Sequence, residues 1–162
     1  MIVLLMGVTG SGKSTVGRAL AASLDWPFAD ADDFHSPENI AKMRAGVPLD
    51  DADREPWLAA LRAKISEWLQ AGANAVLACS ALKQAYRDEL LVGHEIKLVY
   101  LRANRELIAR RLAERMNHYM NPELLPSQFA TLEEPANALV VDVRASVSDI
   151  VRRIRKGLGI SS

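Results

Sequence analysis

Short apolar runs alternate along this chain with longer segments of helical period. The runs are rich in Val, Leu and Ile and lack strict polar alternation, which is typical of strands buried on both faces. They cover residues 2–6, 75–78, 97–101 and 139–143, with a weaker run at 27–30. Apolar residues three and four apart predict helices at 13–24, 56–70, 82–91, 106–115 and 147–158. This alternation predicts one α/β domain over 1–162, with five parallel strands and helices on both faces.

Two longer segments interrupt the alternation of strands and helices. Residues 35–55 and 116–135 are rich in polar residues, Pro or Met. Long insertions in a compact domain commonly serve as lids and binding loops. The first segment is therefore predicted to be a substrate clamp and the second a short lid.

Composition narrows the classes of partner. The 162 residues include 20 basic and 20 acidic ones, so there is no overall field that would draw the protein onto nucleic acid or an anionic membrane. No apolar run approaches the ~20 residues of a membrane span, and the apolar start lacks the flanks of a secretory signal. The single cysteine, Cys79, cannot form an intrachain disulfide and is interpreted as a small packed residue. A cytoplasmic protein is expected.

Residues 7–14 read GVTGSGKS and lie between the first predicted strand and the first predicted helix. This is the context of a phosphate-binding loop, whose backbone N–H groups and helix N-terminus cradle phosphates. Lys13 is expected to reach the β and γ phosphates of ATP, and Ser14 to bind Mg²⁺. The predicted nucleotide contacts are Gly7, Thr9, Gly10, Ser11, Gly12, Lys13, Ser14 and Thr15. The alternative is a glycine-rich turn that only joins strand to helix.

Acidic residues follow the second predicted strand, where Asp30, Asp32 and Asp33 precede Phe34 and His35. Ligands of open parallel sheets bind at the carboxyl ends of the strands, so these acids should face the phosphate loop. One can orient Mg²⁺, and another can accept the proton of an attacking hydroxyl. An acidic turn that caps the next helix is the alternative.

Cations follow later strands or begin helices, where they can converge on the same edge of the sheet. An anionic substrate would need them, and an arginine fork suits a carboxylate. Solvated helix faces are the alternative for each of them. Uncharged polar side chains could bind a polyol, or could be caps and satisfied core groups. The candidate substrate residues are Asp32, His35, Arg54, Ser80, Lys83, Arg87 and Gln128.

Several blocks around these residues resemble the gluconate kinase family of P-loop kinases, and the resemblance covers nearly the whole chain. The blocks are Asp30-Ala31-Asp32 with His35, Asn39-Ile40 with Lys42-Met43, Gly46-Val47-Pro48-Leu49 with Asp51, Asp53-Arg54, Pro56-Trp57-Leu58, Cys79-Ser80-Ala81-Leu82-Lys83 with Tyr86-Arg87-Asp88, His118-Tyr119-Met120, Leu124-Leu125, Ser127-Gln128-Phe129, Leu132-Glu133 and Pro135. The resemblance implies a P-loop nucleoside-triphosphate-hydrolase fold of the nucleoside-monophosphate and shikimate kinase type. It also implies that gluconate is phosphorylated on its terminal hydroxyl to give 6-phosphogluconate.

In similar kinases an arginine on the helix entering the lid stacks on adenine, and the next contacts the transferred phosphate. The resemblance assigns these roles to Arg111 and Arg115, which lie one helical turn apart. Basic residues near a helix C-terminus are also favoured by the helix dipole, which is the alternative for both. Met116-Asn117 departs from the family pattern before His118. A homodimer is expected by analogy alone.

Two rival functions remain open at this stage. The nearer is a kinase for another small acceptor, such as shikimate or a nucleoside monophosphate. The farther is a nucleotide-binding module without catalysis, although an intact Lys13, Ser14 and acidic pair argue against it.

Overall fold

The computed structural model describes residues 1–114 and 125–160. Five strands form one sheet: β1 (Ile2–Met6), β2 (Phe28–Asp30), β3 (Ala75–Ala78), β4 (Ile96–Arg102) and β5 (Leu139–Asp142). All neighbouring pairs are parallel, in the order β2-β3-β1-β4-β5. The predicted five-stranded parallel sheet is therefore confirmed.

Seven α-helices and one short 3₁₀ helix (Ala31–Phe34) connect these strands within the described residues. The α-helices are α1 (Lys13–Leu24), α2 (Pro37–Arg44), α3 (Asp51–Gln70), α4 (Gln84–Leu90), α5 (Arg105–Glu114), α6 (Leu125–Thr131) and α7 (Val147–Leu158). None of the helices in these ranges is long and apolar enough to cross a membrane.

Two apolar cores lie on opposite faces of the sheet, as the alternation of side chains along a strand requires. On β1, Ile2 and Leu4 pack with α3 and α4, whereas Val3 and Leu5 pack with α1 and α7. Every residue of β1 is buried, which explains its uninterrupted apolar run. The predicted helix coverage of both faces is therefore confirmed.

The predicted start of the third helix at residue 56 was wrong by five residues. Asp50 accepts a hydrogen bond from the Asp53 backbone N–H, and the Asp53 side chain accepts one from the Asp50 N–H. This capping box begins α3 at Asp51, ahead of Pro56. Residues 35–55 are thus largely helical, since they contain α2 and the first turn of α3.

The predicted lid at 116–135 falls partly outside the described residues, which resume at 125 with α6. Glu133, just after α6, donates its backbone N–H to the Leu82 carbonyl at 2.8 Å. Its carboxylate also accepts a hydrogen bond from the Gln84 backbone N–H at 2.7 Å. These bonds attach the end of this segment to the connection between β3 and α4.

Candidate active site

The phosphate loop connects β1 to α1 through two positions that favour glycine, one for lack of space and one for its backbone conformation. A Cβ on Gly7 would lie 2.8 Å from the Leu101 carbonyl oxygen, which is too close for a non-bonded contact. Gly12 has φ of 100°, a conformation that favours glycine. The loop therefore reaches the start of α1 with its N–H groups available for an anion, as the predicted cradle requires.

Buried polar groups in this loop fit a phosphate ligand. The Ser11 hydroxyl is buried, and it has no hydrogen-bond partner within the ranges 1–114 and 125–160. The Lys13 ammonium donates to the carbonyl oxygens of Gly7 and Val8 at 2.9 and 3.0 Å. Thr15 lies on the first turn of α1 and is exposed. A phosphate would give Ser11 a partner and offer Lys13 a stronger, charged acceptor.

The end of β2 brings Asp30 to the phosphate loop. The Ser14 hydroxyl donates to one carboxylate oxygen of Asp30, and the other oxygen accepts the Asp32 backbone N–H at 3.0 Å. Mg²⁺ prefers oxygen ligands and is commonly held by one or two protein groups, substrate phosphates and waters. The Ser14–Asp30 pair fits such an ion, although no cluster of three acidic, His or Cys side chains occurs in the described parts of the chain.

A cavity opens beside the phosphate loop and contains most of the predicted acceptor residues. It has a volume of about 660 Å³ when the solvent-filled space at its open mouth is included. Thr9 and Lys13 of the loop line it. The lining also includes the predicted substrate residues Asp32, His35, Arg54, Ser80 and Gln128. The fold thus brings together residues from six separate parts of the sequence.

The two acids of the Asp30 and Asp32 pair have different surroundings. Asp30 is hydrogen-bonded to Ser14, on the loop side, whereas Asp32 lines the cavity. The sequence left open which acid orients metal and which serves the hydroxyl. These positions favour Asp30 for the metal and Asp32 for the acceptor.

Arg54 is held at the cavity by Tyr86 of the neighbouring helix α4. The Arg54 guanidinium donates to the Tyr86 hydroxyl at 2.9 Å, and that hydroxyl donates to Asp51 at 2.7 Å. Arg54 also lies against the face of the Tyr86 ring, 5.3 Å from its centroid. Arg54 is thus held in place but only partly buried, so its guanidinium gives the cavity a positive charge that suits an anion.

The structure does not bring Arg87 to the cavity. Its side chain is 1% exposed, and its guanidinium donates to the carbonyl oxygens of Ala81, Leu82 and Glu133. Arg87 is therefore absent from the cavity lining, and its contact with substrate stays a prediction. These backbone acceptors tie the β3–α4 connection to the segment after α6, whereas Nε of Arg87 is buried without a hydrogen-bond partner among the described residues.

Lys83 is likewise absent from the cavity lining. Its ammonium lies 3.4 Å from the Asp51 carboxylate and faces the Tyr86 ring. Asp51 and Tyr86 are the same residues that position Arg54. In the structure Lys83 contacts the residues that support Arg54, and its direct contact with substrate stays a prediction.

Gln128 of α6 links the late segment to the phosphate loop. Its side-chain oxygen accepts a hydrogen bond from the Thr9 backbone N–H at 3.2 Å. Both residues also line the cavity. Gln128 therefore lies where a donor phosphate and an acceptor hydroxyl would approach each other.

Arg111 of α5 is fixed against the phosphate loop. Its guanidinium donates to the Gly10 and Ser11 carbonyl oxygens at 3.3 Å each, and to the Val143 carbonyl oxygen at 3.0 Å. It thus connects the loop to the residues after β5. Arg115, predicted to contact the transferred phosphate, lies outside the described residues.

Apolar residues complete the cavity, and the sequence pattern did not indicate them as site residues. Met43, Pro48 and Leu49 come from α2 and the connection to α3, and Trp57 comes from α3. Thr131 of α6 is a further missed residue. Most small-molecule sites have largely apolar walls, but a buried apolar residue resembles any other core residue in a sequence.

Cys79 lies at the end of β3, 1% exposed, and takes no part in the cavity lining. Burial raises the pKa of its thiol to about 12. The thiol therefore stays protonated and is a poor nucleophile. This agrees with its interpretation as a packed residue.

Comparisons with known proteins agree with this geometry. A family model described as shikimate kinase matches residues 9–156. A probable gluconokinase from Mus musculus is 44% identical, and the match covers 97% of each chain. A gluconokinase structure from Sinorhizobium meliloti 1021 is 42% identical with a TM-score of 0.84, covering 97% of this chain and 90% of that one. A sugar kinase structure from Janibacter sp. HTCC2649 is 41% identical with a TM-score of 0.91, covering 99% and 95%. The chain belongs to the gluconokinase family of P-loop small-molecule kinases, a family that also matches the shikimate kinase model over most of this chain.

Proposed function

We propose that this protein is a gluconokinase, which transfers the γ-phosphoryl group of ATP to the terminal hydroxyl of D-gluconate and yields 6-phospho-D-gluconate and ADP. The main support for the proposal is the position of Thr9 and Lys13, where the phosphate loop meets the cavity. These residues belong to the phosphate loop and also line the cavity that contains Arg54. The relatives named as gluconokinases support gluconate as the acid that enters this cavity.

The nucleotide side of the site consists of residues 7–15. Backbone N–H groups of the loop would bind the phosphates, and Lys13 would exchange its carbonyl partners for the β and γ phosphate oxygens. Ser14 and Asp30 would hold Mg²⁺, which supplies positive charge beside the transferred group. Arg111, already fixed against the loop, would lie beside adenine. Arg115 remains our candidate for a contact with the transferred phosphate.

The acceptor side of the site recognises a carboxylate and several hydroxyls. Arg54 would bind the gluconate carboxylate, since its planar fork can engage both oxygens. Ser80, His35 and Gln128 would contact the hydroxyls. These contacts would hold the carboxylate end of gluconate at Arg54 and leave its terminal hydroxyl near Lys13.

Asp32 would act on the terminal hydroxyl. As the hydroxyl oxygen bonds to the γ-phosphorus, the bond from that phosphorus to the ADP oxygen breaks, and the hydroxyl proton passes to the Asp32 carboxylate. Lys13 would balance the charge that develops on the transferred group. No covalent enzyme intermediate is required, in agreement with the buried, protonated Cys79.

The test is Mg²⁺-dependent ADP formation with a panel of gluconate, related sugar acids, shikimate and nucleoside monophosphates. Gluconate should exceed shikimate in kcat/KM by roughly a hundredfold or more, because only the matched acceptor satisfies the cavity's polar groups. Equal or faster turnover with shikimate or a nucleotide acceptor would contradict the proposal.

A matched pair of lysine variants controls this assay. Lys13→Ala should lower kcat by about a hundredfold or more, because a charge at the transferred group is lost. Lys64→Ala removes a lysine that lies on α3 beside Trp68 and Glu67, and should leave kcat unchanged. Near-normal turnover in Lys13→Ala would contradict the assigned mechanism.

A further inference from the structure

A buried amide lies next to the acceptor cavity and contacts one of the residues that line it. Asn39 lies on α2 and is 6% exposed. Its side-chain nitrogen donates to the Asp53 backbone carbonyl at 2.9 Å and lies 3.3 Å from Nδ1 of His35. Asn39 thus joins α2 to α3 and to the histidine that lines the cavity.

These two contacts determine the proton positions on the His35 ring. A backbone carbonyl can only accept, so the Asn39 atom facing Asp53 must be the nitrogen. The same nitrogen faces Nδ1 of His35 and carries a second hydrogen. Nδ1 must therefore accept, and the proton of a neutral ring lies on Nε2.

The remaining surroundings of His35 favour the neutral ring. The ring stacks on Trp57, with centroids 4.4 Å apart and an interplanar angle of 9°. Arg54 adds a positive charge from α3, while Asp32 and Lys13 line the same cavity. Burial, and then the charge of Arg54, lower the pKa of His35 to about 4.

We propose that Asn39 is a positioning residue that fixes the tautomer of His35, so that the ring presents Nε2–H to the acceptor cavity as a hydrogen-bond donor. With Nδ1 occupied and Nε2 protonated, His35 is not a base for the acceptor hydroxyl. Its Nε2–H favours a ligand that offers a hydrogen-bond-accepting oxygen at this point, and a hydroxyl of a polyol acid supplies one. The proposal deepens the proposed function, since it concerns how the same cavity recognises gluconate.

The direct test is nitrogen NMR of the wild-type protein labelled with ¹⁵N-histidine. The chain has three histidines, so a His35→Gln variant identifies the His35 signals by their loss. The expected spectrum has a protonated Nε2 and an unprotonated Nδ1, unchanged between pH 8 and pH 5. A protonated Nδ1, or protonation of both nitrogens by pH 5.5, would overturn the proposal.

Kinetic variants test the consequence for the acceptor. In Asn39→Asp an ionised carboxylate can only accept from Nδ1, so a ring that ¹⁵N NMR shows to be neutral in this variant carries its proton on Nδ1 instead of Nε2. The KM for gluconate should then rise about tenfold or more, while the KM for ATP changes less than about twofold. Asn74→Asp is the matched control, because Asn74 lies at the opposite edge of the sheet and contacts the N-terminus. An unchanged KM for gluconate in a folded Asn39→Asp protein would contradict the proposal.

Substitutions of His35 separate donation from simple packing. Glutamine can place an N–H near the position of Nε2, so His35→Gln should retain a KM for gluconate closer to wild type than His35→Leu does. Equal KM values for these two variants would contradict donation by His35. The NMR measurement needs no substrate, so it decides the tautomer of His35 independently of activity. A failure of gluconate turnover would contradict the proposed function alone.

Discussion

Arg54 and Arg87 have the same side chain, but the fold gives them different surroundings. Arg54 is partly exposed in a cavity and is braced by Tyr86, whereas Arg87 is buried and bound to backbone carbonyls. Nothing in the local sequence separates them, because both lie within the resemblance blocks and each is the fourth residue of its helix, α3 or α4. The difference arises from the contact between the β3–α4 connection and Glu133, which is distant in sequence.

Arg54→Ala should therefore raise the KM for gluconate far more than the KM for ATP, by about ten- to a hundredfold, because a charge-assisted hydrogen bond to the carboxylate is lost. Steady-state kinetics with each substrate varied in turn would measure this. Arg62→Ala is the matched control, since Arg62 is a half-exposed arginine on the same helix. Equal effects on both KM values would remove Arg54 from the acceptor site.

Arg87→Lys should instead lower the free energy of unfolding, by about 2 to 4 kcal/mol. An ammonium cannot reach all the carbonyls that the guanidinium satisfies, and buried unsatisfied acceptors are costly. Denaturant titration would measure the loss. A fully stable Arg87→Lys protein with a raised KM for gluconate would instead support the prediction that Arg87 binds substrate.

The polar residues of the site were largely predictable at the residue scale, because phosphate and carboxylate chemistry restricts the residue types. Asp32, His35, Arg54, Ser80 and Gln128 all reach the cavity. Trp57 lines the cavity but resembles any other core tryptophan in a sequence, and Asn39 was not predictable as a site residue because it acts through His35. Such indirect contacts depend on how α2 packs against α3.

At the scale of elements, the sequence predicted the strands and most helices because their apolar periodicity was clear. It underestimated α3, whose first turn is polar and is defined by the Asp50–Asp53 capping box. It also did not predict α2 (Pro37–Arg44), a short helix capped by Ser36. Polar first turns carry little periodicity, so a helix start of this kind is found only from its caps.

The packing of α1 on the sheet depends on a glycine. A Cβ on Gly17 would lie 2.4 Å from the Phe28 ring and 3.3 Å from the Leu5 side chain. Gly17→Ala should therefore lower the free energy of unfolding by about 1 to 3 kcal/mol, although alanine is the better helix former. Thermal or denaturant unfolding would measure this change.

Gly93→Ala is the control for this substitution, because its Cβ would meet nothing closer than 3.4 Å. The two variants add the same methyl group and differ in the space that receives it. If Gly17→Ala were as stable as Gly93→Ala, close packing between α1 and β2 would not limit stability.

For the whole molecule, the buried histidine makes stability depend on pH. The pKa of His35 is about 4 when folded, against an ordinary value of 6.5, so between these values the unfolded chain binds a proton that the folded protein does not. The free energy of unfolding should therefore fall as the pH decreases from 6.5 to 4. After allowance for solvent screening, the contribution of His35 is about 1 to 2 kcal/mol.

Urea titrations at pH 7 and pH 4.5 on wild type and His35→Gln would isolate this contribution, since carboxylates affect both proteins alike. The wild-type protein should lose more free energy of unfolding than the variant over this interval. Equal losses would show that His35 titrates with an ordinary pKa and would weaken the assignment of a neutral ring.

For the whole molecule, the central claim is that Thr9 and Lys13 join the phosphate loop to the acceptor cavity, and its most direct test is the position of phosphate in the product. Phosphorus–proton correlation NMR of a reaction with ATP, Mg²⁺ and gluconate would measure it. The account predicts a phosphorus signal coupled to the two protons of the terminal methylene group. Coupling to a single methine proton, or release of inorganic phosphate alone, would contradict it.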